Sequence, residues 1–215
     1  MLRHFALKAA RLRRDRRASA IVEFAVILPV LLSIWAGMTE IAHAIDEWRK
    51  LTLLARTVAD LTAQGDTQNP IGTALMSDIV ASAAKVMRPF DTTNVKIVVS
   101  ALGVDLKNLN LFPRVCSSIA NGNTTARTTG TAIDLIVPPG YQTTGMRYVL
   151  AEVSISYTPM IGSALVKLVK GVGNQITFTA SVPWPTRGGT TYGSNTYTEV
   201  VVPGTSAKAC DGSTP

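Results

Sequence analysis

The first part of this 215-residue chain changes from cationic to apolar within a few residues. Its basic residues end at Arg17, and residues 24–38 are mostly apolar, with Glu23 at the entrance of this run and Glu40 just beyond its exit. A bilayer core of about 30 Å needs about 20 residues of helix. The apolar run alone is shorter than that, so a membrane span here is predicted to extend over residues 19–45.

A second apolar pattern follows the first without interruption. Leu or Val recurs at the spacing of an amphipathic helix, at Leu51, Leu54, Val58 and Leu61. Neither proline nor glycine occurs between Glu40 and Ala63, and Gly65 is a natural C-terminal stop. The pattern therefore predicts one long helix over residues 19–64, apolar nearly all round in its first half and amphipathic in its second.

A second helix is predicted after residue 65. Asn69 supplies an N-cap and Pro70 a first-turn proline, while Pro89 ends the element. The face predicted to be buried consists of Leu75, Ile79, Val80, Ala83, Val86 and Met87.

From Asn94 the period of the pattern falls to two, which is the period of a strand. Alternation is clearest over residues 95–99, 149–157 and 176–182. Weaker signals predict strands over residues 115–119, 133–137 and 197–202, and a short helix over residues 161–170. One polar face on each alternating strand is typical of an antiparallel sheet covered on one side.

The amphipathic half of the long helix is the natural cover for such a sheet. The predicted fold class is therefore α+β, in which a long N-terminal transmembrane helix continues into an amphipathic helix packed on a small antiparallel sheet. We predict a basic cytoplasmic leader over residues 1–18, a transmembrane helix over residues 19–45 and an extracytoplasmic α+β domain over residues 46–215.

The net charge of +7 is concentrated at the N-terminus. Residues 1–18 hold seven bases and one acid, a balance of +6, and the other 14 bases and 13 acids leave +1 for the rest of the chain. A basic arm directly before an apolar run follows the positive-inside rule for a cytoplasmic N-terminus. The body has no charge excess with which to attract a polyanion, so nucleic acid is not an expected partner.

The residues that carry chemistry are few. The two histidines lie outside the predicted domain core, His4 in the leader and His43 near the membrane. Neither a metal site nor a catalytic triad is therefore predicted, and we expect no cofactor and no enzymatic activity. Cys116 and Cys210 are the only cysteines. In an extracytoplasmic domain they are expected to form a disulfide, and two unrelated thiols are the alternative.

Glu23 is unusual because a carboxylate next to an apolar membrane run costs about 3 kcal/mol or somewhat less when it lies off-centre. It either reaches the cytoplasmic interface and has no further role, or it pairs with a cation. A cut between Ala18 and Ser19 would create an α-amino group four residues before Glu23. That amine could neutralise the acid within one subunit or between neighbouring helices.

The residues around Glu23 resemble the start of TadE/TadG-like pilus assembly proteins, pseudopilin-type minor components of the bacterial tight adherence (Flp-type) pilus. The resemblance is strongest over residues 14–45, where the chain reads Ile-Val-Glu-Phe-Ala-Val-Ile-Leu-Pro from residue 21 to residue 29. Weaker similarity covers residues 153–162 and 178–187.

The resemblance implies a pilin-like fold and a structural role. It implies a single pass through the bacterial inner membrane, with the N-terminus cytoplasmic and the C-terminal domain periplasmic or extracellular. It implies a prepilin-peptidase cut between Ala18 and Ser19 that leaves Glu23 at mature position five, although such peptidases favour glycine where this chain has Ala18. The implied partners are other pilin or pseudopilin subunits, the pilus assembly machinery, prepilin peptidase and membrane lipid.

Two other functions are compatible with the same residues. The triplet at residues 42–44, Ala-His-Ala, fits a signal-peptidase site, and a cut after Ala44 would release a secreted binding protein. A binding protein or enzyme that stays anchored in the membrane is the second alternative. Glu23, Glu40 and the helical pattern that continues past Ala44 argue against secretion.

Overall fold

The computed structural model describes residues 16–65, 71–104, 111–143, 145–159, 175–187, 190–191 and 198–203. Its longest element is helix α1, Arg16–Thr62, which includes Pro29. The long helix predicted over residues 19–64 is thereby confirmed to within a turn. A Cβ atom at Gly65, just after the helix, would lie only 2.7 Å from Ile71 Cγ1, so this close approach favours glycine.

The chain divides into two units, Met1–Ala44 with Pro159–Asn174 and Ile45–Thr158 with Gln175–Pro215. Within the first unit, the described side chains of α1 from residue 20 onward are exposed or partly exposed. Within the second unit, buried positions of α1 begin at Glu47 and continue through Leu51 and Leu54 to Thr62. The two halves of the helix therefore have the two surface patterns that the sequence predicts.

The second predicted helix is present in two short pieces, α2 (Thr73–Ala81) and α3 (Ala83–Val86). The residue at the N-cap of α2 is Gly72, whereas the predicted cap, Asn69, and Pro70 lie outside the described residues. Helical structure ends at Val86, before Pro89. Ile79, Ala83 and Met87 are buried as predicted.

One position of the predicted buried face is wrong. Leu75 is 52% exposed, and the neighbouring Met76 is fully buried in its place. The residues of this helix are apolar at so many successive positions that the sequence does not fix which side faces the core. A rotation of the helix by one residue, about 100°, exchanges one apolar side chain for the other.

A five-stranded antiparallel sheet forms the body of the second unit. Its strands lie in the order β3-β2-β1-β4-β5. Their bounds are Lys96–Gly103 for β1, Arg114–Ala120 for β2, Gly130–Thr131 for β3, Arg147–Tyr157 for β4 and Ile176–Pro185 for β5. The three strongly alternating segments correspond to β1, β4 and β5, and the antiparallel α+β fold class is confirmed.

The second half of α1 packs on one face of the sheet. Ile97, Val99 and Ala101 of β1 lie opposite Val153, Ala151 and Val149 of β4. These side chains share one core with the second half of α1. The helix contributes Leu51, Leu54, Ala55, Val58 and Ala59 to this core. The predicted packing of the amphipathic stripe on the sheet is therefore observed.

A smaller core lies on the opposite face, toward one end of the sheet. It contains Leu102, Val104, Val115, Ala132, Val137, Tyr148 and Leu150. The segment predicted as a strand over residues 133–137 packs against this small core and has no regular secondary structure. That prediction is therefore wrong. Ala132 and Val137 point into the small core, while Ile133 is 76% exposed and Ile136 is 71% exposed.

The C-terminal part of the described chain returns to the main core. Two short strands, β6 (Thr190–Thr191) and β7 (Thr198–Glu199), pair antiparallel, and β7 covers only part of the strand predicted over residues 197–202. Val200 and Val202 then join the main core, and the Val202 N–H donates to Ser117 Oγ at 3.0 Å. The helix predicted over residues 161–170 lies outside the described residues.

Candidate functional site

The first half of α1 presents a large apolar surface. Among the described residues, one helix, Ala20–Thr62, is long and apolar enough to cross a membrane; its most apolar 18-residue window has a mean hydropathy of 2.1, and none of that window is buried. Large exposed side chains run along it, namely Ile21, Val22, Phe24, Val26, Ile27, Val30, Leu31, Leu32, Ile34, Trp35, Met38 and Ile41. An apolar surface of this extent is unfavourable in water and marks a contact with lipid or protein.

Two hydroxyl groups on this half of α1 bond within the helix. The Ser33 hydroxyl donates to the Pro29 carbonyl at 2.7 Å, and the Thr39 hydroxyl donates to the Ala36 carbonyl at 2.8 Å. In a lipid environment each unsatisfied polar group would cost several kcal/mol. Because both hydroxyls have acceptors in their own helix, neither Ser33 nor Thr39 opposes insertion into a bilayer.

The predicted processing site lies in the first turn of the same helix. Because α1 begins at Arg16, the Ala18–Ser19 bond has a helical backbone, and the first turn is where a helix opens most readily. Glu23 is exposed and follows Ser19 by four residues. Side chains at this spacing lie on the same side of a helix, which is the arrangement that pairing between a new α-amino group and Glu23 requires.

An ion cluster that the sequence does not reveal lies on the second unit, centred on Arg127. Arg127 Nη2 donates to Glu152 Oε1 at 2.7 Å and Nη1 donates to Asp134 Oδ2 at 2.7 Å, while Nε also donates to Glu152. The Arg127 and Glu152 side chains are only 22% and 25% exposed. The hydrogen bond with Glu152 raises the pKa of Arg127, and the hydrogen bond from Arg127 lowers the pKa of Asp134.

Both acids are therefore paired with Arg127, Glu152 at a largely buried position and Asp134 at a position that is 60% exposed. The two acids are far apart in the sequence, and the arginine that joins them lies in an irregular segment without a strong pattern. The only available signal is that Glu152 is the single acid in β4. A charge in the middle of a half-buried strand normally needs a counter-ion.

Beside the cluster the open face of the sheet forms a shallow cleft of about 420 Å³. Lys96, Arg127, Glu152 and the hydroxyls of Thr124, Ser154 and Thr179 contribute to its lining. The two basic groups face one acid in the wall, and none of the described residues that line the cleft is aromatic. It is a hydrogen-bonding surface with little net charge, and the arrangement includes no nucleophile–base pair of a hydrolase.

The end of β5 is tied to the end of α1. Arg187 Nη2 lies 2.8 Å from Asp60 Oδ1, and the Arg187 N–H donates to the Ala63 carbonyl at 3.1 Å. Arg187 lies two residues beyond the end of β5. The structure therefore assigns a structural role to this arginine, which joins the sheet to the C-terminal end of the long helix.

The remaining candidate residues lie at separate places. Cys116 is buried in β2 and is disulfide-bonded, whereas its expected partner, Cys210, lies outside the described residues. Within the described part of the chain no three of the side chains His, Cys, Asp and Glu lie close enough together to hold a metal. Glu23 lies in the first unit, and Cys116 and Arg127 lie in the second.

The fold and the exposed helix define a class of protein, an α+β domain that carries a long helix with a candidate membrane span. The family model described as TadE-like protein matches residues 18–60, nearly the whole of α1. The segment is therefore TadE-like, and the resemblance seen in the sequence is confirmed over this range. Neither a curated protein nor a solved structure matches the chain.

Proposed function

We propose that this protein is a minor pseudopilin of the tight adherence (Flp-type) pilus, anchored in the bacterial inner membrane by a single pass of α1. The observation that carries the proposal is the position of the TadE-like match. It falls on the one described helix whose apolar surface is exposed. The function assigned is structural, and the residues that perform it belong to a helix surface and not to a catalytic pocket.

Charge supports the direction of the pass. Six of the seven net positive charges lie in residues 1–18, so the positive-inside rule places the leader in the cytoplasm. Residues 46–215 then form the domain on the periplasmic or extracellular side, where a disulfide at Cys116 is chemically expected. Other pilin subunits, the assembly machinery and prepilin peptidase are the proposed partners.

The first experiment determines the N-terminus of the protein recovered from cells, together with its extraction from membranes at alkaline pH. We expect a chain that starts at Ser19 and remains with the membrane. A start at Ile45 in a soluble fraction would reject the anchor in favour of a secreted binding protein. An intact Met1 in the membrane fraction would reject prepilin-type processing and leave only the anchor.

A second experiment tests the role proposed for Glu23, which is to pair with the α-amino group of Ser19 in the same or a neighbouring subunit. Glu23→Gln removes the charge and preserves the shape, so we expect assembled pili to fall by about ten-fold, which corresponds to a loss of about 1.4 kcal/mol per contact. Electron microscopy and the amount of sheared surface fibre measure the effect.

Glu40→Gln is the matched control, because Glu40 is the other acid beside the apolar run of α1. We expect it to leave assembly within about two-fold of the unmodified protein, since it lies beyond reach of the new N-terminus along a helix that rises 1.5 Å per residue. Both variants are compared at equal abundance in the membrane. Equal assembly by Glu23→Gln and the unmodified chain would contradict the pairing.

A further inference from the structure

Among the described strands, β5 lies at an edge of the five-stranded sheet, and its first half has none of the usual edge-protecting residues. It is the last strand in the sheet order, and among the described residues no backbone group of β5 bonds to a strand other than β4. Residues 175–182 contain neither charge nor proline, whereas Pro183 and Pro185 interrupt the edge further on. Natural sheets usually protect such an edge with charge, proline or a covering element, so residues 175–182 form a surface suited to pairing with another strand.

The side chains of this edge are divided cleanly between the two faces of the sheet. Phe178, Ala180 and Val182 pack partly buried against the main core, opposite Ile155, Val153 and Ala151 of β4. Thr177, Thr179 and Ser181 are exposed on the open face. A strand that continues the sheet must therefore present small or apolar groups on the α1 side and hydroxyl groups on the open side.

The strand that meets this requirement is β5 itself. If two copies pair antiparallel about a two-fold axis at Thr179, Phe178 of one copy lies opposite Ala180 of the other, and Thr177 lies opposite Ser181. Ile176, which is half exposed, lies opposite Val182. Large side chains thus meet smaller ones, hydroxyls meet hydroxyls, and no like charges approach each other.

The same register places the prolines at the ends of the ladder. Pro183 falls opposite Gln175, and Pro185 lies beyond the paired region, so the residues that lack a backbone N–H do not interrupt it. An isologous contact of this kind closes after two copies. We propose that β5 is a homodimerisation edge, at which two subunits join their sheets into one continuous sheet with both α1 helices on the same side.

Cysteine cross-linking of the full-length chain in its membrane tests the register. A thiol at Thr179→Cys lies directly opposite its copy, at about 5 Å between Cβ atoms, whereas a thiol at Thr177→Cys lies about 13 Å from its own copy. With a short bismaleimide we expect Thr179→Cys to yield about five-fold more dimer than Thr177→Cys. Co-expression of Thr177→Cys with Ser181→Cys should restore the mixed dimer, and the unmodified chain gives the background.

Charge exchange at the two-fold axis provides a second, independent measurement on the same exposed position. Thr179→Lys alone and Thr179→Glu alone should each lower the dimer fraction of the purified full-length chain about five-fold, because like charges then lie opposite each other. Mixing the two variants should return the dimer fraction to that of the unmodified chain, which also shows that each variant is folded.

Three results would overturn the proposal. The first is equal cross-linking by Thr179→Cys and Thr177→Cys, and the second is a cross-linked product that contains a different protein and no second copy. The third is failure of the Lys and Glu variants to associate when mixed. Because the readouts are dimer yields and do not involve pili, they are independent of the proposed pilus function.

Discussion

Replacing Cys116 and Cys210 together by serine is expected to lower the free energy of unfolding of the C-terminal domain by about 4–5 kcal/mol. The two residues are the only cysteines in the chain, and Cys116 is buried and disulfide-bonded. A bond to Cys210 would close a loop from residue 116 to residue 210, and a loop of this length strongly restricts the unfolded chain. We propose this pairing.

The described part of the C-terminal segment supports the pairing. Val202 donates its N–H to Ser117 Oγ at 3.0 Å, and Ser117 is the residue that follows Cys116 in β2. Val200 and Val202 are buried in the main core. The chain therefore passes beside β2 only eight residues before Cys210, a distance that an extended chain spans easily.

Urea unfolding of the full-length chain in detergent, with and without reductant, measures the effect. Reductant should lower the midpoint of the unmodified chain to that of the double serine variant, and should leave that variant unchanged. A Cys116→Ala/Cys210→Ala variant separates loss of the disulfide from the cost of a buried serine hydroxyl. An unchanged midpoint, together with two thiols that react with an alkylating agent before reduction, would contradict the bond.

The elements of this fold that sequence reasoning finds are those with long, unambiguous periodicity. The helical pattern through Leu51 and Leu54 continues over four positions, and the alternation in β4 and β5 continues over most of each strand. In each case the period of one type of secondary structure, 3.6 residues for a helix or two for a strand, continues long enough to exclude the other type. The packing of the helix stripe on the sheet follows because each element has only one apolar face to bury.

The predictions that fail are those for which the local sequence pattern is compatible with more than one structure. Leu75 and Met76 are adjacent and both apolar, so only the tertiary packing decides that Met76 is the buried one. Over residues 133–137, alternation is absent and the apolar residues divide between a small core and solvent. Short apolar runs of this kind do not distinguish a strand from an irregular cover.

The Arg127 cluster could not be predicted from the sequence for a different reason. Its acids, Asp134 and Glu152, come from a loop and from the middle of a strand, and the hydrogen bonds of Arg127 span 7 and 25 residues of sequence. Such contacts depend on the order of strands in the sheet, which the pattern of a single strand does not contain. The site proposed on α1 can be predicted from the sequence because all of its residues lie on one helix, where spacing alone determines which side chains are neighbours.

The second large effect is expected at Leu54, where truncation to alanine should lower the free energy of unfolding by about 3 kcal/mol. Leu54 is fully buried, and it shares the main core with residues of β1 and β4. The adjacent Leu53 is 55% exposed. Leu53→Ala is therefore a matched control with the same loss of atoms, for which a change within about 0.5 kcal/mol is expected.

This pair of variants tests whether one helix has two roles. The TadE-like match covers residues 18–60 and therefore includes both the exposed apolar half of α1 and the half that completes the domain core. If the second half is structural, urea unfolding of the two variants in detergent will separate Leu54 from Leu53 while both chains stay in the membrane fraction. Similar losses at the two positions would contradict burial of this helix face, and the sheet would then have to be stable without it. A large loss at Leu54 alone means that the domain core requires the second half of α1, from Ile45 onward.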